Sequence, residues 1–362
     1  MKTIILVAGI DYEFKGVDFR VLCNRRMEKL LRKNTKNEDM VFKIFDFRKG
    51  EVVTHESFYL GGLRTVKSTS LSPPPFSQIT KKTNYEKALG SDGEPYYTFK
   101  DGQRGTMSIL DVYKAVQKVG VDAPNTLFEL SFFSHAWMGG PILVNSNDDG
   151  RFSTGNIQLR LLSSNARDPD DMDPRVKDFS APTMDARALA NFQTAFHSDG
   201  YVWIWGCAFV EELNRILCKI ENHPSYRASG LGNNTVFEFT NLNAGQVELL
   251  EKWLGSELDG PFPDKGKVKI SFKFLKHFFC KFTTASYSHH IAKAAKVKTF
   301  GAVMGTDAGY DTGAGLPLMS VSRTRWARHI NFYKEYLGFS FDPEGRFYGE
   351  YSPEFNCTVP SL

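Results

Sequence analysis

Tyr-Val-Trp-Ile-Trp-Gly-Cys, at residues 201–207, is a mostly apolar run of strand length that ends in a cysteine. A second run has the same layout: Leu-Phe-Glu-Leu-Ser-Phe-Phe-Ser-His, at residues 127–135, ends in a histidine. In a parallel sheet the carboxyl ends of the strands meet at one edge, which is the usual ligand site of open α/β folds. The two runs therefore predict nearby strands that bring His135 and Cys207 to one crevice.

The rest of the 362-residue chain alternates between strand-like and helical patterns. Apolar residues that recur at helical spacing predict amphipathic helices, and short apolar runs predict buried strands. Alternation of this kind predicts an α/β fold with a mostly parallel sheet and helices on both faces. The expected strands are 1–10, 40–47, 127–134, 201–206, 235–240, 267–274 and 297–303; the expected helices are 19–31, 108–119, 184–196, 208–220, 246–254, 286–296 and 325–336.

Two loop-rich stretches interrupt this alternation. Residues 51–105 contain Pro73-Pro74-Pro75 and Gly-rich turns, so we expect an insertion of loops and a hairpin outside the sheet. Residues 141–182 form the second stretch. We therefore predict one α/β domain over residues 1–320, which includes both stretches, and a C-terminal extension over residues 321–362 packed on the same domain.

Composition narrows the classes of partner. The 45 basic and 41 acidic residues give a formal net charge of +4 and no concentrated basic region, so no nucleic-acid partner is predicted. No apolar run approaches the roughly 20 residues that span a bilayer, so no membrane partner is predicted either. The expected partner is a peptide or protein substrate. The oligomeric state is left open.

The cysteines and the N-terminal segment indicate the cellular compartment in which the protein is expected. Five cysteines at irregular spacings are not a disulfide framework, which favours reduced thiols in a cytosol-like compartment. The apolar start of the chain is short, and Asp11 ends it without a cleavage-like segment. We therefore expect a cytoplasmic protein, or one exported without a cleavable signal peptide.

A cysteine nucleophile requires a neighbour that favours the thiolate. A helix is predicted just after Cys207, and His135 lies at a nearby strand end, so both a helix dipole and an imidazole are available. His135 would act as general base and then as general acid. Backbone N–H groups around Ala136, Gly139 and Gly206 are the candidates for binding a developing oxyanion.

These two blocks resemble the caspase-like cysteine peptidases, a group that includes caspases, gingipains, separases, CHAT-type peptidases and the self-cleaving domains of large bacterial toxins. In that group an apolar strand ends in His followed by Gly, and a later apolar strand ends in the nucleophilic Cys. Gly206-Cys207 is most similar to the toxin processing domains. The resemblance implies a caspase-like three-layer sandwich with a Cys207–His135 dyad and no obligatory third acid.

The resemblance also implies a substrate-binding loop after the strand at 297–303. Gly305, Thr306 and Asp307 fall in that loop, where Asp307 would either select a basic side chain or cap a local turn. The leading hypothesis is a cysteine endopeptidase. Residues 145–182 are then either a segment that the enzyme cleaves in itself or an uncut insertion that binds a partner. No cofactor is predicted, and no metal, because the spacing of His277, Cys280, His289 and His290 is not that of a recognised zinc finger.

Two alternatives stay open. Ala136 stands where the family usually has Gly, and Trp205 stands where several Arg/Lys-specific members carry Asp. Both would obstruct a peptide site in a non-catalytic binding or scaffold protein. The chain order Cys207, then Asp307 or Asp311, then His329 would instead suit a hydrolase of acyl or amide substrates, in which His329 faces Cys207.

Overall fold

The computed structural model describes residues 1–9, 11, 17–60, 63–71, 85–89, 95–99, 107, 109–138, 140–143, 151–154, 157–160, 178–180, 184–227, 231–254, 267–310 and 317–356. The strands within these residues are β1 (Lys2–Ala8), β2 (Met40–Asp46), β3 (Glu51–Leu60), β4 (Leu63–Leu71), β5 (Tyr85–Leu89), β6 (Pro95–Phe99), β7 (Leu127–Phe133), β8 (His135–Trp137), β9 (Gly140–Ile142), β10 (Arg151–Thr154), β11 (Ile157–Arg160), β12 (Phe196–Ile204), β13 (Val236–Thr240), β14 (Lys267–Ser271), β15 (Lys298–Gly301), β16 (Ala308–Tyr310), β17 (Met319–Val321) and β18 (Gly349–Tyr351). The helices are α1 (Phe19–Lys33), α2 (Ile109–Asp122), α3 (Ala186–Ala195), α4 (Glu211–Asn222), α5 (Pro224–Arg227), α6 (Ala244–Leu254), α7 (Phe272–Thr284), α8 (Tyr287–Ala295) and α9 (Arg323–Leu337).

An eight-stranded sheet forms the centre of the fold, in the order β18-β15-β12-β7-β1-β2-β3-β4. The five neighbours from β15 to β2 are parallel, while β18, β3 and β4 join the two edges antiparallel. The predicted α/β class and mostly parallel sheet are therefore confirmed. Because β1, β7 and β12 are adjacent, their carboxyl ends lie side by side.

Each face of the sheet has its own core. In β1, Ile4 and Leu6 belong to a cluster with α1, α4, α7 and α9, whereas Ile5 and Val7 belong to a cluster with α2, α3 and α8. Successive side chains of a strand point to opposite faces, so an uninterrupted apolar run is buried on both. This places helices on both faces, as the sequence predicts.

The expectation that residues 51–105 lie wholly outside the sheet is wrong. Strand β3 pairs with β2, and β4 pairs with β3, so this stretch extends the main sheet by two strands. The connection between β2 and β3 is tight, and Gly50 takes the left-handed conformation (φ 65°) that a glycine adopts at no steric cost. Thr and Val in β3 favour extended backbone, and pairing with β2 decides the outcome.

The expectation of uniformly reduced thiols is also wrong for one residue. Cys280 is disulfide-bonded, whereas Cys23, Cys207 and Cys218 are free thiols. The irregular spacing of the cysteines does not predict a single disulfide, because such a bond depends on which elements meet in space. None of the described helices is long and apolar enough to cross a membrane.

A buried charge cluster ties α1 to the sheet near the amino ends of the strands. The guanidinium of Arg26 is fully buried and donates hydrogen bonds to both carboxylate oxygens of Glu129 on β7, at 2.8–3.1 Å. It also donates to Glu344 at 2.8 Å, and Lys29 forms a second ion pair with that carboxylate. A buried guanidinium needs such partners, because an unpaired buried charge is very costly.

Candidate active site

Cys207 follows the carboxyl end of β12 and is half-buried. Helix α4 begins at Glu211, so residues 207–210 form a short connection and the cysteine lies before the helix rather than at its first turn. The Sγ atom contacts the backbone of Ala308 in β16: the Ala308 N–H donates to sulfur at 3.3 Å, and the thiol donates to the Ala308 carbonyl at 3.6 Å. The thiol is therefore held between β12 and β16.

Gly206 allows the end of β12 to lie directly against the His135 segment. A Cβ atom at position 206 would lie 2.3 Å from the Cβ of Ala136, 2.9 Å from its backbone nitrogen and 2.8 Å from the carbonyl oxygen of Ser134. Real Cβ atoms do not tolerate these separations, and two of the three obstacles are backbone atoms. A glycine is required here because of close approach, and it lets the segment before Cys207 pack against the segment that contains His135.

His135 begins the short strand β8, two residues after β7 ends. Its Nε2 atom lies 2.8 Å from Oδ1 of Asp11, and the side chains of both residues are 13% exposed. The other carboxylate oxygen of Asp11 accepts a hydrogen bond from the Val17 N–H at 3.1 Å. The edge of the Phe19 ring packs against the imidazole at 5.3 Å between centroids. The ring of His135 is thus oriented by a carboxylate that is itself anchored.

Asp11 is the site residue that the sequence reasoning did not single out. It comes three residues after β1 ends, and β1 lies next to β7. The rule that identified His135 and Cys207, polar side chains that follow the carboxyl ends of adjacent parallel strands, applies equally to Asp11. By the sequence pattern alone, Asp11 marks only the end of the first apolar segment.

A cavity of about 560 Å³ lies above these strand ends. Both His135 and Cys207 line it, so the structure brings the two predicted catalytic residues together. The cavity has the volume of a small-ligand or side-chain site. Its other lining residues are Val17, Phe19, Ser134, Ala136, Trp137, Ile142, Phe209, Asp307, Ala308, Gly309, Tyr310, Met319 and Arg325.

The loop that precedes β16 is tied to the cysteine loop by a reciprocal pair of backbone hydrogen bonds. The Gly305 N–H donates to the Ala208 carbonyl, and the Ala208 N–H donates to the Thr306 carbonyl, at 3.0 and 3.1 Å. Gly305 has φ +87°, which favours glycine, and the buried hydroxyl of Thr306 donates to the Val303 carbonyl. These two residues position the loop, and neither is among the described residues that line the cavity.

Asp307 lines the cavity, but its carboxylate already has two partners. The Arg325 guanidinium donates to Oδ2 at 2.8 Å, and the Trp326 indole N–H donates to Oδ1 at 2.7 Å. The neighbouring guanidinium offsets the negative charge that would otherwise attract a basic substrate side chain. Asp307 therefore joins β16 to α9 as well as facing the cavity.

Trp205 lies in the core and does not line the cavity. It is fully buried, stacks on Trp203 at 4.1 Å between centroids, and donates from its indole to Ser131. It therefore does not obstruct the space above Cys207. Ala136 does line the cavity and is 8% exposed. Gly139 lies outside the described residues.

His329 faces away from the cavity of Cys207. It lies on α9, with Nδ1 2.8 Å from Oε1 of Glu221 and Nε2 3.0 Å from Nδ2 of Asn214. Burial lowers the pKa of His329, but hydrogen bonds to Cys218 and Glu221 and the negative charge of Glu221 outweigh it, and the pKa is raised. The arrangement expected for an acyl or amide hydrolase, in which His329 faces Cys207, is not found among the described residues.

Comparisons with known proteins give limited similarity. No protein-family model matches this chain, and no curated protein matches it. A solved structure of a secreted C11 cysteine protease from Bacteroides thetaiotaomicron is 10% identical and covers 95% of this chain and 72% of its own, with a TM-score of 0.29. A structure of a secreted C11 cysteine protease from the same organism, in complex with an irreversible peptide inhibitor, is 11% identical, covers 94% and 70%, and has a TM-score of 0.27. At such TM-scores, the fold assignment rests on the sheet topology of this chain itself.

Proposed function

We propose that this protein is a caspase-like cysteine peptidase in which Cys207 is the nucleophile and His135 the general base and acid. One observation carries the proposal: Cys207 and His135 line the same cavity at the ends of adjacent strands, and the imidazole is oriented by Asp11. A nucleophile, a base and a group that orients the base form the usual arrangement of covalent catalysis.

The reaction follows from the two nitrogens of His135. Because Nε2 faces the Asp11 carboxylate, Nδ1 is the atom that would take the proton from the Cys207 thiol. The thiolate then attacks the carbonyl carbon of a peptide bond. His135 returns the proton to the leaving amine, which leaves a thioester on Cys207. Water, deprotonated by the same imidazole, hydrolyses the thioester and releases the acid and the free thiol.

Asp11 has a positioning role in this mechanism. Its carboxylate favours a proton on Nε2 and stabilises the imidazolium that forms when the thiol is deprotonated. The Val17 N–H holds the carboxylate in place. The family resemblance implies no obligatory third acid, whereas the contact between His135 and Asp11 supports a catalytic Cys–His pair assisted by Asp11.

Ala308 contributes through its backbone. Its N–H donates toward the sulfur of Cys207 and would remain a donor to the thiolate, a charge-assisted and therefore stronger hydrogen bond. Its carbonyl accepts from the thiol only while the thiol is protonated. The N–H favours the thiolate and the carbonyl favours the protonated thiol, so the two contacts hold the sulfur in place against β16 without selecting its protonation state.

A peptide-based electrophile that alkylates catalytic cysteines tests the proposal. We expect it to label Cys207 in the wild type, and to fail with Cys207→Ala and with His135→Ala. Cys23→Ala is the control, because Cys23 is also a free thiol but lies outside the cavity. Loss of Cys207 labelling in Cys23→Ala as well, or peptide hydrolysis by Cys207→Ala, would contradict a peptidase and favour a binding protein.

A further inference from the structure

A second cluster of reactive side chains lies between α4 and α9. Cys218 and Glu221 are three residues apart on α4 and therefore share one face of that helix. His329 on α9 faces them. One donor atom from each of the three residues lies within 4.8 Å of the other two. None of the three lines the cavity of Cys207, so the proposed peptidase mechanism does not use them.

The Glu221 carboxylate is poorly satisfied for a buried charge. Its side chain and that of His329 are each 4% exposed. Oε1 lies 2.8 Å from Nδ1 of His329, and no other partner of Oε1 is found among the described residues. Within those residues, His329 is also the only basic group at ion-pair distance from Glu221. A buried carboxylate in this state is costly unless a cation compensates it.

The geometry points to a zinc-type divalent cation bound by Cys218, Glu221 and His329. A thiolate sulfur, an imidazole nitrogen and a carboxylate oxygen are the three ligand types that zinc takes in proteins. Zinc bonds of about 2.0–2.3 Å in a tetrahedral arrangement place ligand atoms roughly 3–4 Å apart. Donor atoms already within 4.8 Å of one another need only a small side-chain movement to reach that spacing.

Charge balance favours the same cation. One divalent ion with a thiolate, a carboxylate and a neutral imidazole forms a group of zero net charge, which suits a buried position. The soft thiolate selects zinc-like ions over magnesium or calcium, which prefer ligand sets made only of oxygen. Cys218 is half-buried and lies on the more open side of the cluster, so the ion can enter there.

Asn214 connects this cluster to the loop beside Cys207. Its Nδ2 atom donates to the Gly305 carbonyl at 3.0 Å and lies 3.0 Å from Nε2 of His329. Its Oδ1 atom lies 3.9 Å from the Cys218 sulfur. The ion would link α4 to α9 and, through the hydrogen bond from Asn214 to Gly305, restrict the motion of the segment that leads to Ala308.

Metal content tests the site directly. The full chain, purified without a chelator, is expected to carry about one zinc ion, and Cys218→Ser and Glu221→Gln to carry almost none. After metal removal, added Co²⁺ should produce a thiolate-to-cobalt charge-transfer absorption in the wild type that Cys218→Ser lacks. Zinc should also protect Cys218 from alkylation, a readout that does not need peptidase activity.

Cys207→Ser separates this inference from the proposed function, because it removes the nucleophile but leaves all three ligands. We expect it to retain both the zinc and the cobalt absorption. Circular dichroism checks that each variant is folded, and Glu221→Gln keeps the side-chain volume if Cys218→Ser is unstable. Equal zinc content in the wild type and both ligand variants would overturn the site. So would a cobalt absorption that persists in Cys218→Ser and disappears in Cys207→Ser.

Discussion

Oδ1 of Asp11 lies 2.8 Å from Nε2 of His135, and this contact joins the ends of two adjacent strands, β1 and β7. It leaves Nδ1 as the ring nitrogen that the proposed mechanism assigns to Cys207. It also fixes the plane of the imidazole, because the carboxylate is held in turn by the Val17 N–H. A histidine whose ring is oriented in this way loses less conformational freedom when it acts as a base.

Asp11→Asn is expected to lower kcat for peptide hydrolysis by roughly 10- to 100-fold with little change in KM, because the amide keeps the shape but loses the charge that stabilises the imidazolium. Steady-state kinetics measures both parameters. Asp199→Asn is the matched control, since Asp199 is exposed and lies in the amino-terminal half of β12. If the two variants have equal kcat values, Asp11 has no positioning role.

Gly206→Ala is expected to reduce the free energy of unfolding by about 1–3 kcal/mol, because the added methyl group meets backbone atoms of Ser134 and Ala136. Labelling of Cys207 by the peptide electrophile should slow as well, since the end of β12 must move. Chemical denaturation measures the first effect. Gly232→Ala provides the control, because nothing lies within 4 Å of a Cβ atom there. Equal free energies of unfolding for the two variants would show that position 206 can accept a Cβ atom and that the close approach does not require glycine.

Arg325→Ala is expected to raise the preference for basic over neutral substrate side chains roughly 5- to 10-fold, because it leaves the Asp307 carboxylate with one partner fewer. Profiling with a peptide library measures the ratio of kcat/KM values. Asp307→Asn should change the wild-type preference little, since Arg325 already offsets that charge. Arg323→Ala is the control on the same helix, outside the cavity lining. A strong basic preference in the wild type that Asp307→Asn abolishes would contradict this account.

The buried charge cluster that contains Glu344 predicts that the stability of the fold decreases in acid. Burial by itself would raise the pKa of Glu344, but Arg26 and Lys29 outweigh it and lower the pKa to about 2 from an ordinary value of 4.5. The ionised carboxylate therefore stabilises the folded state above pH 4.5, and this contribution is lost as the pH falls from 4.5 toward 2. The stability difference between wild type and Glu344→Gln should shrink by roughly 2 kcal/mol over that range.

Denaturant unfolding at several pH values measures this difference. Glu354→Gln serves as the control because Glu354 is exposed, and its difference from the wild type should stay nearly constant with pH. A difference for Glu344→Gln that does not change between pH 5 and pH 2 would show that its carboxylate is not held ionised by Arg26 and Lys29.

The local amino-acid sequence was sufficient to predict the central strands of the sheet. The apolar runs that became β1, β7 and β12 are buried on both faces, and a strand with two buried faces is recognisable from composition alone. The same order placed His135 and Cys207 at neighbouring strand ends, because parallel strands share the direction of the chain. Strands β3 and β4 were not recognised as part of the sheet, since their pairing depends on an edge that only the folded sheet offers.

The amino-acid order of 127–135 and 201–207 therefore specified two strands and two reactive side chains at one edge of a sheet, because side-chain direction in a strand follows from backbone geometry. Other features required the tertiary structure. The contact of Asp11 with His135 spans 124 residues, and that of Asp307 with Arg325 depends on where α9 packs. The Cys218–Glu221–His329 cluster forms only because α4 and α9 meet. Contacts between distant segments depend on which elements pack together, and that is settled by the burial of the whole core rather than by any local pattern.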